Sequence, residues 1–567
     1  MSDIRKELVR AALNRANISI DYDIYDNFHK AHVFKKQTIL ADKSLTNDEK
    51  TFAIKELNKT YDRNKINNNE GTRRICENCN KECLATLYCE YCVQNYLKAN
   101  FSNWTSGNID IDNLIQNCQI ETLLPSKIIE WIPYNNLQNI KYLTKGGFAN
   151  IYTAVWVNGR YEEWDSKEQK LIRIGKREVV LKGLENVESA NQRWFNEAKS
   201  HFTISSKWPS IIQCYGITQD PSNRSYMLVI DIADTDLRKY LQQTQNQLEW
   251  KERIKIARGI SIALRVIHRE NAIHRDLHSG NVLYSRLNQR WYISDLGFCG
   301  PANKSSESIY GNLPYIAPEV ISGKNTSKES DIYSVAMLMW EISSGQPPFN
   351  DYENDYNLAL KIINGMRPKV VPGTPLKYEN LMKQCWDADP SKRLNIITLD
   401  DEIRKLLQSY QDTVNESPQL KTHNKNSPIT NYTSSKLFTS KIYEFKNLPE
   451  PRNATEEEQE AFHSKSYDCF NIPDNIDDFS NSSSQNYDTK SKASYSILKD
   501  SSEELSKSFN ELQVISNEDN QINYGEEIVE QQQIRRYNIK IDDEEETYDD
   551  KNFHSEEQDE LEIPDGK

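Results

Sequence analysis

His274-Arg275-Asp276-Leu277-His278-Ser279-Gly280-Asn281, followed after a short run of strand-formers by Asp295-Leu296-Gly297, is the most informative part of this 567-residue chain. An aspartate beside an arginine, an asparagine five positions on and a second aspartate beyond supply three oxygen groups with different capacities. Asp276 can take a proton from an incoming hydroxyl. Asn281 and Asp295 can hold Mg²⁺ against the phosphates of a nucleotide. Such a set serves phosphoryl transfer, a reaction catalysed mainly by positioning and charge neutralisation.

The first eight residues match the protein-kinase catalytic-loop signature in full, and the chain resembles a eukaryotic-type protein kinase. Strand-like runs come first and helical runs later between Leu137 and about Leu407, an order that suits an α+β domain. The resemblance implies two lobes over residues 137–408, one small and β-rich, one large and helical, with ATP and Mg²⁺ as cofactors. Its nucleotide cradle would be Leu143-Thr144-Lys145-Gly146-Gly147-Phe148-Ala149-Asn150-Ile151, where small residues let backbone N–H groups approach phosphate oxygens. Thr144 and Ala149 stand where the family usually has glycines; Gly146 keeps its place. Lys182, in Val179-Val180-Leu181-Lys182, would reach the α- and β-phosphates and pair with Glu197, with Val180 beside the nucleotide. Ile230 would guard the back pocket, and backbone groups of Asp231 and Ala233 would face the adenine edge.

Further along, Ala317-Pro318-Glu319 closes a segment containing Ser305, Ser306, Ser308 and Tyr310, where a phosphate would pair with Arg275. Asp331-Ile332-Tyr333-Ser334, Pro347-Pro348-Phe349, Cys385-Trp386 and Arg393 are similar to large-lobe elements of the family, in which Glu319 and Arg393 form a buried ion pair. Three further positions depart from the pattern. Leu296 replaces a phenylalanine, while His278 and Asn312 replace the lysine and threonine that normally touch the acceptor hydroxyl. The general cast resembles the tyrosine-kinase-like group, which mostly modifies Ser/Thr, and the Cys-rich leader is similar to that of an expanded set of fungal kinases. A tyrosine or dual-specificity kinase, and an ATP-binding pseudokinase scaffold that recruits partners, are the alternatives.

Cys76-x-x-Cys79 and Cys89-x-x-Cys92 form two knuckles able to present four thiolates to one structural Zn²⁺, with Cys83 as a spare ligand. The other reading is five reduced cysteines in a small apolar patch. Residues 1–75 read helical: Ile4, Leu8, Val9, Ala12 and Leu13 fall at helical spacing, and the pattern returns from Asn47 to Tyr61. The Cys-rich segment and linker occupy 76–134.

Net charge is −14, and residues 411–567 carry roughly −19 of it against roughly +5 for the rest. This argues against nucleic acid as a partner. Apolar residues are sparse after Gln411, so 411–567 is expected to be a disordered acidic tail, with a transient helix around Glu526–Arg536. From charge alone it would fold back over a basic substrate groove as a screen. Signalling partners would use this tail or the N-terminal module. The first residues lack an apolar core and no run approaches the ~20 residues that span a bilayer. A soluble, reducing, cytoplasmic setting is the expectation.

Overall fold

The computed structural model describes residues 4–20, 24–145, 149–184, 193–244, 248–286, 288–301, 309–412, 440–445 and 448–464. The leader opens with three helices, α1 (Lys6–Ile18), α2 (Phe28–Ala41) and α3 (Asn47–Asn68). Their apolar stripes meet in a core of Val9, Ala12, Ala16, Ile39, Leu45, Ala53 and Leu57. Thr46 starts α3 through a capping box with Glu49, and that carboxylate also binds the Arg5 guanidinium, tying the first helix to the third. The hairpin β1 (Arg74–Ile75) and β2 (Glu82–Cys83), then α4 (Glu90–Ala99), frame the cysteines; α5 (Ile109–Glu121) and the edge strand β3 (Glu130–Trp131) come next.

The small lobe is built on β4 (Leu137–Lys145), β5 (Asn150–Trp156), a hairpin of β6 (Tyr161–Asp165) and β7 (Lys170–Arg173), β8 (Arg177–Gly183), α6 (Arg193–Ser205), β9 (Cys214–Gln219) and β10 (Tyr226–Asp231). Its sheet runs β3-β9-β10-β8-β5-β4. All pairings are antiparallel except that of β3, which the leader adds parallel to β9. The leader also packs behind α6: Ile111, Ile115 and Cys118 of α5 share a core with Ala198 and Phe202. The β6–β7 hairpin inserts Trp164 and Leu171 into the cysteine-module core. The leader is therefore part of the small lobe.

The large lobe continues with β11 (Thr235–Asp236), α7 (Leu237–Gln243), α8 (Trp250–Arg269), β12 (Ala272–Ile273), β13 (Val282–Ser285), β14 (Arg290–Ile293), β15 (Gly300–Pro301), β16 (Ile309–Gly311), α9 (Pro318–Ile321), α10 (Lys328–Ser344), α11 (Tyr356–Ile363), α12 (Leu376–Cys385) and α13 (Ile396–Asp412). Helix α8 is amphipathic, burying Ile254, Ala257, Ile260, Leu264 and Ile267. Helix α10 is buried nearly all round, as its largely apolar sequence dictates. The two-lobed α+β expectation holds.

The expectation of a structureless tail from 411 onward does not hold throughout. Lys441–Tyr443 forms β17 and Glu456–Ser464 forms α14. Tyr443, Phe445, Leu448 and Phe462 pack on the large-lobe core, so a few aromatic and aliphatic anchors order a polar segment. The helix expected near Glu526–Arg536 and the acidic run from Asp542 lie outside the described residues.

Candidate active site

Asp331, near the start of α10, organises the catalytic loop. Its buried carboxylate accepts from the backbone N–H of His274 (2.8 Å) and of Arg275 (3.0 Å) and lies 2.8 Å from His268 Nε2. Burial works against its ionisation, but these donors prevail and keep its pKa low. The loop so held turns sharply, with Arg275 at φ +69°. Asp276 emerges from it buried, and Asn281 Nδ2 donates to the Asp276 carbonyl at 2.9 Å. The antiparallel register Val282↔Ile293 carries Asn281 and Asp295 to one end of the β13–β14 hairpin. Ser294 N donates to Asn281 O at 2.9 Å, and Asp295 bends back into the cleft at φ +58°.

From the small lobe, Lys182 Nζ lies 2.7 Å from Glu197 Oε1 and 2.6 Å from Asp295 Oδ1. Burial would strip the ammonium of its proton, but the two carboxylates reverse that and raise its pKa. Asp295 is correspondingly held well below the usual carboxylate range, the Lys182 ammonium overcoming the effect of burial. The five residues expected to carry the chemistry thus converge between the lobes.

The hinge is partly set. Asp231 N donates to Gln213 O at 2.8 Å and its carboxylate binds Arg177 at 2.6 Å. Asp231 ends β10, paired with Val179 of β8, and Ile230 is buried beside it. In the nucleotide cradle, Leu143, Thr144, Lys145, Ala149, Asn150 and Ile151 flank the β4–β5 turn. Gly146, Gly147 and Phe148 lie outside the described residues, as do Ser305, Ser306 and Ser308. Arg275 donates to Phe298 O (3.0 Å) and Thr326 Oγ1 (2.9 Å), and the Tyr310 ring stacks on Phe298.

Two histidines matter more than their sequence context suggests. Burial drives His201 down to about 3, so it is neutral, and its Nε2 accepts the Leu296 N–H at 3.3 Å. It latches the Asp295-Leu296-Gly297 turn to α6, and no local motif marks it. His278 stands where the resemblance implies a lysine that touches the acceptor hydroxyl. Its Nδ1 instead accepts from Gly280 N at 3.1 Å, which leaves the proton on Nε2. That nitrogen lies 3.2 Å from the Ser440 hydroxyl, which itself donates to Asp276 Oδ1 at 2.9 Å. Gly311 stands close by at φ +137°, and a Cβ there would press on Asp276 Oδ1 at 3.3 Å.

The expected ion pair also forms. Arg393 grips Glu319 through two bonds of 2.8 and 2.7 Å, both side chains buried.

In the leader, Cys76 Sγ and Cys92 Sγ are 3.7 Å apart and Cys79 Sγ and Cys89 Sγ 3.6 Å, all four within 4.8 Å of one another. A disulfide would need about 2 Å. Zn–S bonds of ~2.3 Å in a tetrahedron place sulfurs about 3.8 Å apart, so this set fits zinc. Cys83 also approaches Cys89 and Glu90, but its thiol donates to Arg74 O, and Glu90 caps the N–H groups of Leu84 and Ala85. Cys83 thus lies beside the four-sulfur cluster, in strand β2.

Residues 137–403 match the family model for protein tyrosine and serine/threonine kinase. The chain is similar to a probable serine/threonine-protein kinase, pats1, of Dictyostelium discoideum (25% identity; 53% of this chain, 9% of the relative). It is similar also to the RGS domain-containing serine/threonine-protein kinase A of the same organism (24%; 57% of this chain, 26% of the relative). A mouse ankyrin repeat and protein kinase domain-containing protein 1 matches at 29% identity over 47% of this chain and 36% of its own length. The chain thus spans well under two thirds of these relatives. With the catalytic loop, the lysine clamp and the two lobes in place, residues 137–403 are a eukaryotic-type protein kinase domain.

Proposed function

We propose that the protein is an ATP-dependent kinase that transfers the γ-phosphoryl group of ATP to a serine or threonine hydroxyl of a protein, as part of cytoplasmic signalling. The observation that carries this reading is Lys182 clamped between Glu197 and Asp295 at 2.7 and 2.6 Å, because a pseudokinase scaffold has no need of that costly buried assembly. Lys182 orients the α- and β-phosphates while Glu197 holds its ammonium in place. Asn281 and Asp295 would hold Mg²⁺, which neutralises charge on the phosphates when bound. Asp276 aligns the acceptor hydroxyl and takes its proton as transfer proceeds. The His278 Nε2–H replaces the missing lysine as a donor toward the acceptor oxygen, and the named relatives support a Ser/Thr acceptor.

Lys182→Met should lower kcat/KM for a serine peptide by at least roughly 100-fold, read with labelled ATP against the wild-type protein. Phosphoamino-acid analysis after a peptide-array screen decides the acceptor; phosphotyrosine alone would refute the serine/threonine assignment. ATP binding without phosphate transfer by wild type would favour the scaffold.

Zinc held by Cys76, Cys79, Cys89 and Cys92 is part of the proposal, as a purely structural ion, since four thiolates leave no open position for water. Metal analysis should find one zinc per chain. Cys79→Ser should abolish it and lower the melting temperature by several degrees; an unchanged metal content would rule the site out.

A further inference from the structure

The Ser440 hydroxyl occupies the place of an acceptor. It donates to Asp276 Oδ1 at 2.9 Å and lies 3.2 Å from His278 Nε2, and it is buried. The next three residues, β17, pair antiparallel with β16 of the activation segment, in the register Lys441↔Gly311, Ile442↔Tyr310 and Tyr443↔Ile309. An extended peptide added to a sheet edge is a recurrent mode of peptide recognition. Tyr443 stacks on Phe445 at 5.4 Å, and Phe445 meets Tyr356 edge-on at 6.1 Å.

Residues beyond this strand anchor it to the large lobe. Ala388 N donates to Asn453 Oδ1 at 2.9 Å, Arg452 N donates to Ile363 O at 3.0 Å, and His463 Nε2 lies 3.0 Å from Arg367 O. Gly365, at φ +94°, is bare where the anchor crosses it: a Cβ there would sit 2.1 Å from Ala454 N. A self-contained helix start, Thr455 with Glu458, fixes the far end.

We propose that residues 440–445 and 448–464 form an intramolecular substrate strap, and that the chain phosphorylates its own Ser440. This rests on the proposed kinase activity. The Ser440 Oγ forms a bond to the γ-phosphorus of Mg·ATP as the bridging P–O bond to the β-phosphate breaks; ADP leaves, and the hydroxyl proton passes to Asp276. Until then β17 fills the groove and excludes other acceptors. Afterwards the phosphoserine, with a charge near roughly −1.5 to −2, faces the carboxylates of Asp276 and Asp295, and the strand is expelled. Charge alone would have brought the tail to the groove as an acidic screen. The segment seated there is a serine flanked by a lysine.

The test uses the full chain, Mg·ATP and an exogenous serine peptide. Phosphate should appear at Ser440 with a rate per molecule that does not depend on protein concentration, because the acceptor is already seated. Peptide phosphorylation should show a lag that preincubation with Mg·ATP removes. Ser440→Ala, which leaves the backbone pairing and melting temperature unchanged, should stay slow throughout. Tyr443→Asp should undock the strap, slowing Ser440 phosphorylation roughly tenfold or more and abolishing the lag. Phosphate at other sites with none at Ser440, a concentration-dependent rate at Ser440, or identical progress curves for wild type and Ser440→Ala would overturn the strap while leaving the kinase intact. If no form of the chain phosphorylates either acceptor, the kinase reading itself fails.

Discussion

Asp276→Asn should cut phosphate transfer by roughly 10³-fold or more while leaving ATP affinity nearly unchanged. The asparagine is almost isosteric, and Asp276 is held by groups that the change does not touch. Its neighbours are fixed through backbone bonds to Asp331 at 2.8 and 3.0 Å, and Asn281 binds its carbonyl. Only the proton acceptor is lost. Single-turnover assays at saturating ATP, with a nucleotide-displacement titration beside them, separate the two quantities. A parallel fall in ATP binding would mean that the residue supports the fold rather than the chemistry.

Arg393→Ala carries the largest expected effect on stability, about 3–5 kcal/mol. The guanidinium makes two bonds to Glu319 and two more to the carbonyls of Asp387 and Glu329, at 2.8 and 2.9 Å. Its removal strands a buried carboxylate and two carbonyl acceptors without their donors. The double variant Arg393→Ala/Glu319→Gln should recover part of the loss, since the uncompensated charge is gone. Denaturant unfolding of the four members of the cycle measures this coupling. Additive losses would show that the two side chains stabilise the lobe independently of each other.

The site was legible because its chemistry is compressed into short spacings. Asp276 and Asn281 share one loop, and Asp295 returns beside them through a tight hairpin, so residue type and distance along the chain predict distance in space. Lys182 and Glu197 were placed by order alone, and the lysine clamp forms as expected. Contacts made across long separations escaped. His201 reaches Leu296 from another lobe, and nothing local singles it out. His278 looked like a missing lysine because charge is the obvious difference, whereas its ring brings Nε2 to 3.2 Å from the Ser440 hydroxyl. The strap is hidden by averaging. Tyr443, Phe445, Leu448 and Phe462 are thinly scattered through a polar sequence, and their value comes from a surface that only the folded lobe supplies. Spacing alone counts sulfurs, and it leaves open which four of the five share one centre; Cys76, Cys79, Cys89 and Cys92 lie within 4.8 Å of one another.

The leader's edge strand and its helix behind α6 separate two kinds of boundary. The family-model match begins at residue 137, yet the apolar face of α6 is covered by Ile111, Ile115 and Cys118, and β9 is completed by Glu130–Trp131. A fragment trimmed to the matched residues would present a wet helix face and an open sheet margin, an invitation to aggregate. The packed unit reaches beyond the matched residues, and anyone expressing this chain in pieces should cut where the packing ends.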